Sequence, residues 1–344
     1  MKAAVLYANG DIRLGDCEAP EIDADSIIIK VKAAGICGSD VPRVLSNGAR
    51  YYPIVLGHEF AGEVADVGAD VRGFKAGERV AGAPLVPCMK CADCQQGWYA
   101  LCKFYDFIGS RRQGAFAEYL KMPAANAVKF DAGISYEQGA LFEPSTVALH
   151  GLRVNNYEGG KRVAVLGGGT IGVFAVQWAK IFGAASVTAF DISDERLELC
   201  SKMGADYVAN MQSGDMKADG LKEGAYDYIF ETAGVGETMR FAFEIAASKA
   251  HICFIGTPTR DLTFTPELFE NMNRKEFRLT GSWMSYSAPF PGEEWQLTAH
   301  YFKTGQLKFS DELIFRKFGL GGCGEAFGLY KTPGQVKGKV LFVM

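Results

Sequence analysis

Four cysteines crowd into the stretch CMKCADCQQGWYALC, and their order, Cys-x2-Cys-x2-Cys-x7-Cys, lets Cys88, Cys91, Cys94 and Cys102 surround one ion. Thiolates suit zinc, and four of them complete a tetrahedron with no position left for water or substrate. The cluster therefore reads as a structural zinc site, with a pair of disulfides or chance clustering as the alternatives. A second set is dispersed. Cys37 in GICGSD, His58 in LGHEF and Glu143 in LFEPSTVALH each lie in a glycine- or proline-bordered loop that can aim a side chain into a cleft. One sulfur, one nitrogen and one oxygen leave a fourth position open, the arrangement in which zinc polarises an alcohol and lowers the pKa of its hydroxyl. Taken singly, the same residues also suit a small buried thiol, a structural histidine and a surface acid, so spacing alone leaves the trio open.

A third set binds rather than reacts. Gly167, Gly169 and Gly172 in GGGTIG form G-x-G-x-x-G directly after the strand-like RVAVL and at the start of a helical segment, with Thr170 and Ile171 between them. Glycines there permit a tight turn and close backbone approach, and a helix N-terminus offers free N–H groups to a pyrophosphate. A second strand, SVTAF, ends at Asp191, about twenty residues on, as a dinucleotide fingerprint requires. A carboxylate at that place hydrogen-bonds ribose hydroxyls and repels a 2′-phosphate, so NAD is favoured over NADP. Arg196, one helical turn later, either packs against the adenine or is a solvated helix residue.

The elements that must position these residues differ along the chain. Glycine-rich segments such as LGHEFAGEVADVGADVRGFKAGERV, with runs like SIIIKVKAA, predict an irregular β region over residues 1–150. From KRVAVLGGGTIG the pattern becomes strand and helix in alternation, which predicts a doubly wound parallel sheet over residues 151–285. The alternation weakens near residue 282. The closing GKVLFVM reads as a strand with no partner in the parallel sheet, so residues 286–344 are expected to return to the first domain. Thirty-six basic against 40 acidic side chains, a formal charge of −4 and no block of like charge argue against a nucleic-acid or membrane partner and for small molecules. The start, MKAAVLYANGD, lacks the apolar core of a signal peptide, and IGVFAVQWAKIFGAASVTAF is broken by Gln177 and Lys180. A cytoplasmic location follows as the expectation. There nine cysteines stay reduced, which favours metal over disulfides.

GHEFAGEVADVGADV, residues 57–71, resembles the G-H-E-x2-G-x5-G-x2-V signature of the zinc-dependent medium-chain alcohol dehydrogenases, and the four-cysteine lobe and GGGTIG follow in that family's order. The resemblance covers the whole chain. It implies a GroES-like catalytic domain carrying two zinc ions, an inserted Rossmann domain for NAD, and an active cleft between them. It implies that Cys37, His58 and Glu143 hold the catalytic zinc, that Glu59 can approach the metal during ligand exchange, and that the cysteine cluster holds the structural zinc. It further implies that Ser39 accepts the proton of a substrate hydroxyl while hydride passes to the nicotinamide. One departure stands out: many polyol and threonine dehydrogenases of the family carry a histidine two or three residues after this serine, where this chain has Val41 and Pro42. Water or Glu59 is left to complete the relay.

Within the family, CGSDVPR, NGARYYPIVLGHEF, YDFIGSRRQGAFAEY and GSWMSYSAPFPGEEW are similar to the polyol branch and imply a phosphorylated polyol as substrate. Sorbitol, butanediol or threonine dehydrogenation is the alternative, and a non-catalytic NAD-binding protein the remotest one. Arg43, Arg111 and Arg112 are candidates to hold a phosphate, because guanidinium meets phosphate bidentately; the pair can also be a solvated loop or an interdomain contact. Trp283, Ser285 and Tyr286 either line the polyol cleft or pack their loop. Family habit implies a homodimer or homotetramer joined through sheet edges, and HICFIGT, residues 251–257, is an apolar strand able to pair across a twofold axis or, with the same composition, to lie within the parallel sheet.

Overall fold

A computed structural model describes residues 1–212 and 225–344. The β-branched runs of the second half fold as β1 (Arg162–Leu166), β2 (Ser186–Asp191), β3 (Tyr207–Asn210), β4 (Tyr226–Glu231), β5 (Ala246–Phe254) and β6 (Arg278–Gly281). Among the described residues they form one parallel sheet ordered β3-β2-β1-β4-β5-β6, the doubly wound order that the alternation predicts. Helices α1 (Thr170–Ile181), α2 (Asp194–Lys202), α3 (Gly236–Ile245) and α4 (Pro266–Lys275) connect strands of this sheet. The core beneath them gathers Ala164, Leu166, Phe190, Ile229, Phe243 and Ile252, each no more than 1% exposed. Helix α3 stops at Ile245 because Ala246 turns extended and pairs with Tyr226. Helix α4 was not anticipated, although Thr265 caps it and Pro266 opens it, both ordinary helix-start signals.

The two readings of HICFIGT separate here. HICFIGT lies mostly in β5, and β5 is hydrogen-bonded to β4 on one side and β6 on the other, so it has no free edge with which to meet a second subunit. Its apolar composition reflects burial within the sheet, as for any central parallel strand.

The first half is built on antiparallel pairing. Strand Ser26–Gly35 meets Glu59–Val67 along one edge, and along the other it meets Tyr119–Pro123 through its first residues and Lys339–Val343 through its last. The closing GKVLFVM thus joins this sheet, with Leu341 opposite Gly35 and Phe342 opposite Ala34. Phe60, Phe116, Phe327 and Phe342 fill the core, with the Phe116 and Phe342 rings edge to face at 4.8 Å.

The chain divides into two units, Met1–Glu143 with Tyr286–Gly305 and Phe309–Met344, and Pro144–Ser285 with Gln306–Lys308. The expected boundary at residue 150 moves to Glu143 and Pro144 because the helix Phe142–Val154 is tied to the second unit early in its length. Trp178 of α1, fully buried, donates its indole N–H to the Ser145 carbonyl (3.0 Å) and hydroxyl (3.2 Å). The excursion at Gln306–Lys308 has a similar cause, since the Gln177 amide bonds both ways with the Lys308 main chain at 2.7 and 3.3 Å.

Candidate active site

His58 is placed by a backbone that only glycine tolerates. Gly57 has φ of 98°, and a Cβ there would come within 2.5 Å of the Phe116 ring. His58 follows at 4% exposure and Glu59 begins a strand directly opposite Gly35. Cys37 ends the loop after Gly35, its N–H held by Asp40 Oδ2 at 3.1 Å. Cys37, His58 and Glu59 thereby bring their ligand atoms within 4.8 Å of one another. His58 Nδ1 lies 3.4 Å from Asp40 Oδ1, and neither atom has another hydrogen-bond partner. A carboxylate behind one ring nitrogen is the usual device for turning the other toward a metal. Burial opposes charge on His58, yet Asp40 and Cys37 outweigh it and raise its pKa well above the ordinary value.

The acids divide their roles. Both Glu59 oxygens accept from Lys339 Nζ, at 2.5 and 2.8 Å, and that buried lysine also donates to the Ile36 carbonyl at 3.2 Å. Gly35 makes the room: a Cβ there would lie 2.5 Å from Glu59 Oε2 and 3.3 Å from Lys339 Cδ. Glu143, in the first turn of the helix Phe142–Val154, lies outside the tight cluster but within the field of His58, Glu59, Lys339 and Asp40. Burial pushes its pKa up to about 7, with His58 pulling it down and Glu59 pushing it up. An acid so destabilised as an anion is one that a cation would relieve. Ser39 Oγ lies 3.4 Å from Cys37 Sγ, and Arg43 Nη1 donates to Ser39 Oγ at 2.9 Å and to the Ser39 carbonyl at 2.6 Å.

The sulfurs of Cys88, Cys91, Cys94 and Cys102 also gather within 4.8 Å of one another. All nine cysteines are free thiols, so no disulfide competes for them. Cys88 Sγ and Cys94 Sγ are 4.0 Å apart, close to the roughly 3.8 Å edge of a zinc–sulfur tetrahedron with bonds near 2.3 Å. Main-chain N–H groups of Lys90 and Cys91 lower the Cys88 thiol to about 6, the direction metal binding requires, whereas burial raises Cys94 to about 12. The donor set fits a closed zinc site.

In the other unit, the glycine turn fits a dinucleotide. Gly167 takes φ of 102°, and a Cβ on Gly172 would overlap the Gly167 carbonyl oxygen, whereas one on Gly169 would meet nothing within 4 Å. Gly169 caps α1, leaving the N–H groups of its first turn, with Thr170 and Ile171, to face a ligand. Asp191 ends β2 and accepts from Gly168 N at 2.7 Å, Ile192 N at 2.8 Å and Ser193 N at 2.9 Å. Arg196 Nη1 stands 3.7 Å from Asp191, with its Cβ 3.2 Å from where a Cβ on Gly168 would be, so it packs beneath the turn.

The substrate candidates scatter. Arg111 stacks over the Tyr105 ring at 3.8 Å and donates to its carbonyl, and Arg112 pairs with Asp106 at 3.1 Å. Phe107, between those two acid and base residues in sequence, meets the His58 ring edge-on at 5.5 Å. Trp283 is 54% exposed. Ser285 is fully buried and accepts from Thr146 Oγ1 at 2.8 Å, and Tyr286, also buried, accepts from Leu85 N at 2.9 Å. Tyr286 also lies within the field of Glu143. Sequence reasoning passed over Asp40 and Lys339. Asp40 was readable only as a polar residue in GICGSD, and Lys339 carried one signal, a lysine heading an otherwise apolar strand.

The alcohol dehydrogenase GroES-like domain matches residues 23–132, and the zinc-binding dehydrogenase domain matches residues 170–300. The galactitol 1-phosphate 5-dehydrogenase of Escherichia coli K12 is 41% identical over 322 residues, 92% of each chain. The crystal structure of galactitol-1-phosphate dehydrogenase from Escherichia coli superposes with a TM-score of 0.93 at 39% identity, covering all of both chains. A zinc-binding dehydrogenase from Sinorhizobium meliloti 1021, bound to NADP, superposes at 0.90 with 30% identity, covering 100% of this chain and 99% of that one. The chain belongs to the zinc-dependent medium-chain alcohol dehydrogenase family. It is an oxidoreductase of secondary CH–OH groups in small molecules, of the polyol kind. No helix among the described residues is long and apolar enough to cross a membrane.

Proposed function

We propose that this chain oxidises galactitol 1-phosphate to L-tagatose 6-phosphate with NAD, in the cytoplasm and as a dimer or tetramer. The observation that carries the substrate is the 41% identity with galactitol 1-phosphate 5-dehydrogenase over 92% of both chains. In this reading Cys37, His58 and Glu143 hold a catalytic zinc and Cys88, Cys91, Cys94 and Cys102 a structural one. Glu143 is preferred to Glu59 as the third ligand because both Glu59 oxygens are already held by Lys339 Nζ. The zinc, when bound, supplies Lewis acidity to the substrate hydroxyl.

The remaining work falls to the chain. Ser39 accepts the substrate proton, held in place by Arg43, and since guanidinium does not deprotonate, the proton leaves Ser39 for water rather than through Arg43. Asp40 fixes the His58 ring. Gly167, Gly169, Thr170, Ile171 and Gly172 carry the pyrophosphate, and Asp191 disfavours a 2′-phosphate, which supports NAD over NADP. The test is NADH formation by zinc-replete protein with galactitol 1-phosphate, sorbitol, butanediol and threonine compared. A kcat/KM about a hundredfold larger for the phosphate ester, roughly 2.7 kcal/mol of transition-state discrimination, is expected. A flat or reversed preference would sink the substrate and leave the zinc dehydrogenase standing.

A further inference from the structure

The order β3-β2-β1-β4-β5-β6 reverses between β1 and β4, and open α/β sheets bind ligands outside the strand ends at such a reversal. Leu166 closes β1 opposite Glu231, which closes β4, and Phe254 of β5 flanks Glu231 on its other side. Glu231 has 0% exposure, a place where a carboxyl is costly unless hydrogen-bonded. Its Oε1 accepts from Ala233 N and Gly234 N, both at 2.9 Å, and from Thr238 Oγ1 at 2.7 Å. Its carbonyl accepts from Ile255 N at 2.9 Å and Gly256 N at 3.0 Å. One residue thus ties together two loops, 232–234 and 255–257, and the start of α3.

Those loops have little slack. Thr232 N donates to the Leu166 carbonyl at 2.8 Å, and Thr232 Oγ1 donates to the Gly167 carbonyl at 2.9 Å. A Cβ on Gly167 would come within 2.9 Å of that hydroxyl and 3.0 Å of Ala233. A Cβ on Gly256 would lie 2.7 Å from Glu231 Oε2 and overlap Gly234 N, and Gly234 itself has φ of 68°. Glu231 Oε2 has no hydrogen-bond partner. Burial raises the Glu231 pKa against the bonds from Thr238, Gly234 and Ala233.

We propose that Glu231 is a positioning residue for the cofactor, holding loops 232–234 and 255–257 in the shape that receives the nicotinamide end of the dinucleotide. This rests on the dinucleotide reading of the glycine turn. Asp191 places the adenosine end over β2 and the N-terminus of α1 takes the pyrophosphate, so the other half must cross the reversal onto β4 and β5. Glu231 is buried beneath that surface and acts through its loops.

The test is calorimetric titration of the whole protein with NADH and with ADP-ribose, which lacks the nicotinamide, alongside the unfolding temperature. Glu231→Ala is expected to weaken NADH binding by about tenfold or more, about 1.4 kcal/mol, with ADP-ribose within about twofold of wild type. Glu231→Gln keeps the Oε1 acceptor and should recover most of the NADH affinity. Thr238→Val, which removes one of the three side-chain bonds, should shift NADH the same way by less, and it decides the matter if Glu231→Ala does not fold. Unchanged NADH binding, or an equal loss for both ligands, overturns the proposal. A wild-type protein that binds neither ligand overturns the dinucleotide reading itself.

Discussion

Arg43 donates to the Ser39 hydroxyl and carbonyl, whereas Arg111 lies over the Tyr105 ring and Arg112 pairs with Asp106. These environments separate the three arginines that a sequence treats alike. On the proposed reading, an arginine bonded to Ser39 would serve the reacting end of any alcohol, while a phosphate several carbons away would need another anchor. Arg43→Ala is therefore expected to lower kcat by about tenfold to a hundredfold for phosphorylated and unphosphorylated polyols alike, the size of a hydrogen bond to a charged group. Joint replacement of Arg111 and Arg112 by Ala should instead raise KM for the phosphate ester selectively. If unphosphorylated polyol suffers equally, neither residue is the anchor. The candidate site residues were legible because motif spacing announces them, as with the four cysteines, GHE and Asp191. Asp40, Lys339 and Glu231 were not, because their importance lies in burial and in the partners that the fold brings to them, and a single sequence prints neither.

Among the elements, what was legible was periodicity. RVAVL, SVTAF and the apolar run of α1, buried from Gly172 to Ala179, read correctly because each sustains its pattern over a whole strand or several turns. Boundaries were not, since α3 yields to β5 at Ala246 through pairing with Tyr226, a tertiary event. The short helix Tyr136–Ala140 shows how such pairing can be tested. A capping box of Ser135 and Gln138 starts it, and Tyr136 donates to Glu63 on the strand Glu59–Val67 at 2.5 Å. That hydrogen bond, opposed by desolvation and aided by Lys32, lowers the Glu63 pKa. A lowered folded pKa means stabilisation that is complete above the ordinary carboxylate range, about 4.3, and is lost as pH falls through the folded value. Tyr136→Phe should thus destabilise by about 1 kcal/mol near neutrality, discounted for the partial exposure of Glu63, with the gap closing in acid. Urea midpoints across the acid range would show it, and a gap that stays constant below the carboxylate range would refute the assignment.

For the whole molecule, the division of labour follows the division of the chain. Both sets of metal-ligand candidates fall in the unit made of Met1–Glu143, Tyr286–Gly305 and Phe309–Met344, and the glycine turn, Asp191 and Glu231 all fall in the unit of Pro144–Ser285 and Gln306–Lys308. The sequence showed this partition in outline, through the change from glycine-rich β texture to strand and helix alternation, but not the short return at Gln306–Lys308, which depends on the Gln177 amide. Chemistry and cofactor binding should consequently separate on metal removal. A closed four-sulfur site has no open coordination position, whereas a three-ligand site does, so a chelator should take the catalytic ion first. Zinc content is then expected to fall from about two ions per chain to one with loss of alcohol oxidation, while NADH affinity, read by calorimetry, stays within about tenfold. Prolonged chelation, or Cys91→Ser, should remove the second ion and lower the unfolding temperature, because metal binding contributes folding free energy at such a site. Loss of NADH binding in step with the first ion would mean that the two units do not work as separately as their residues suggest, and that the metal shapes the cofactor site directly.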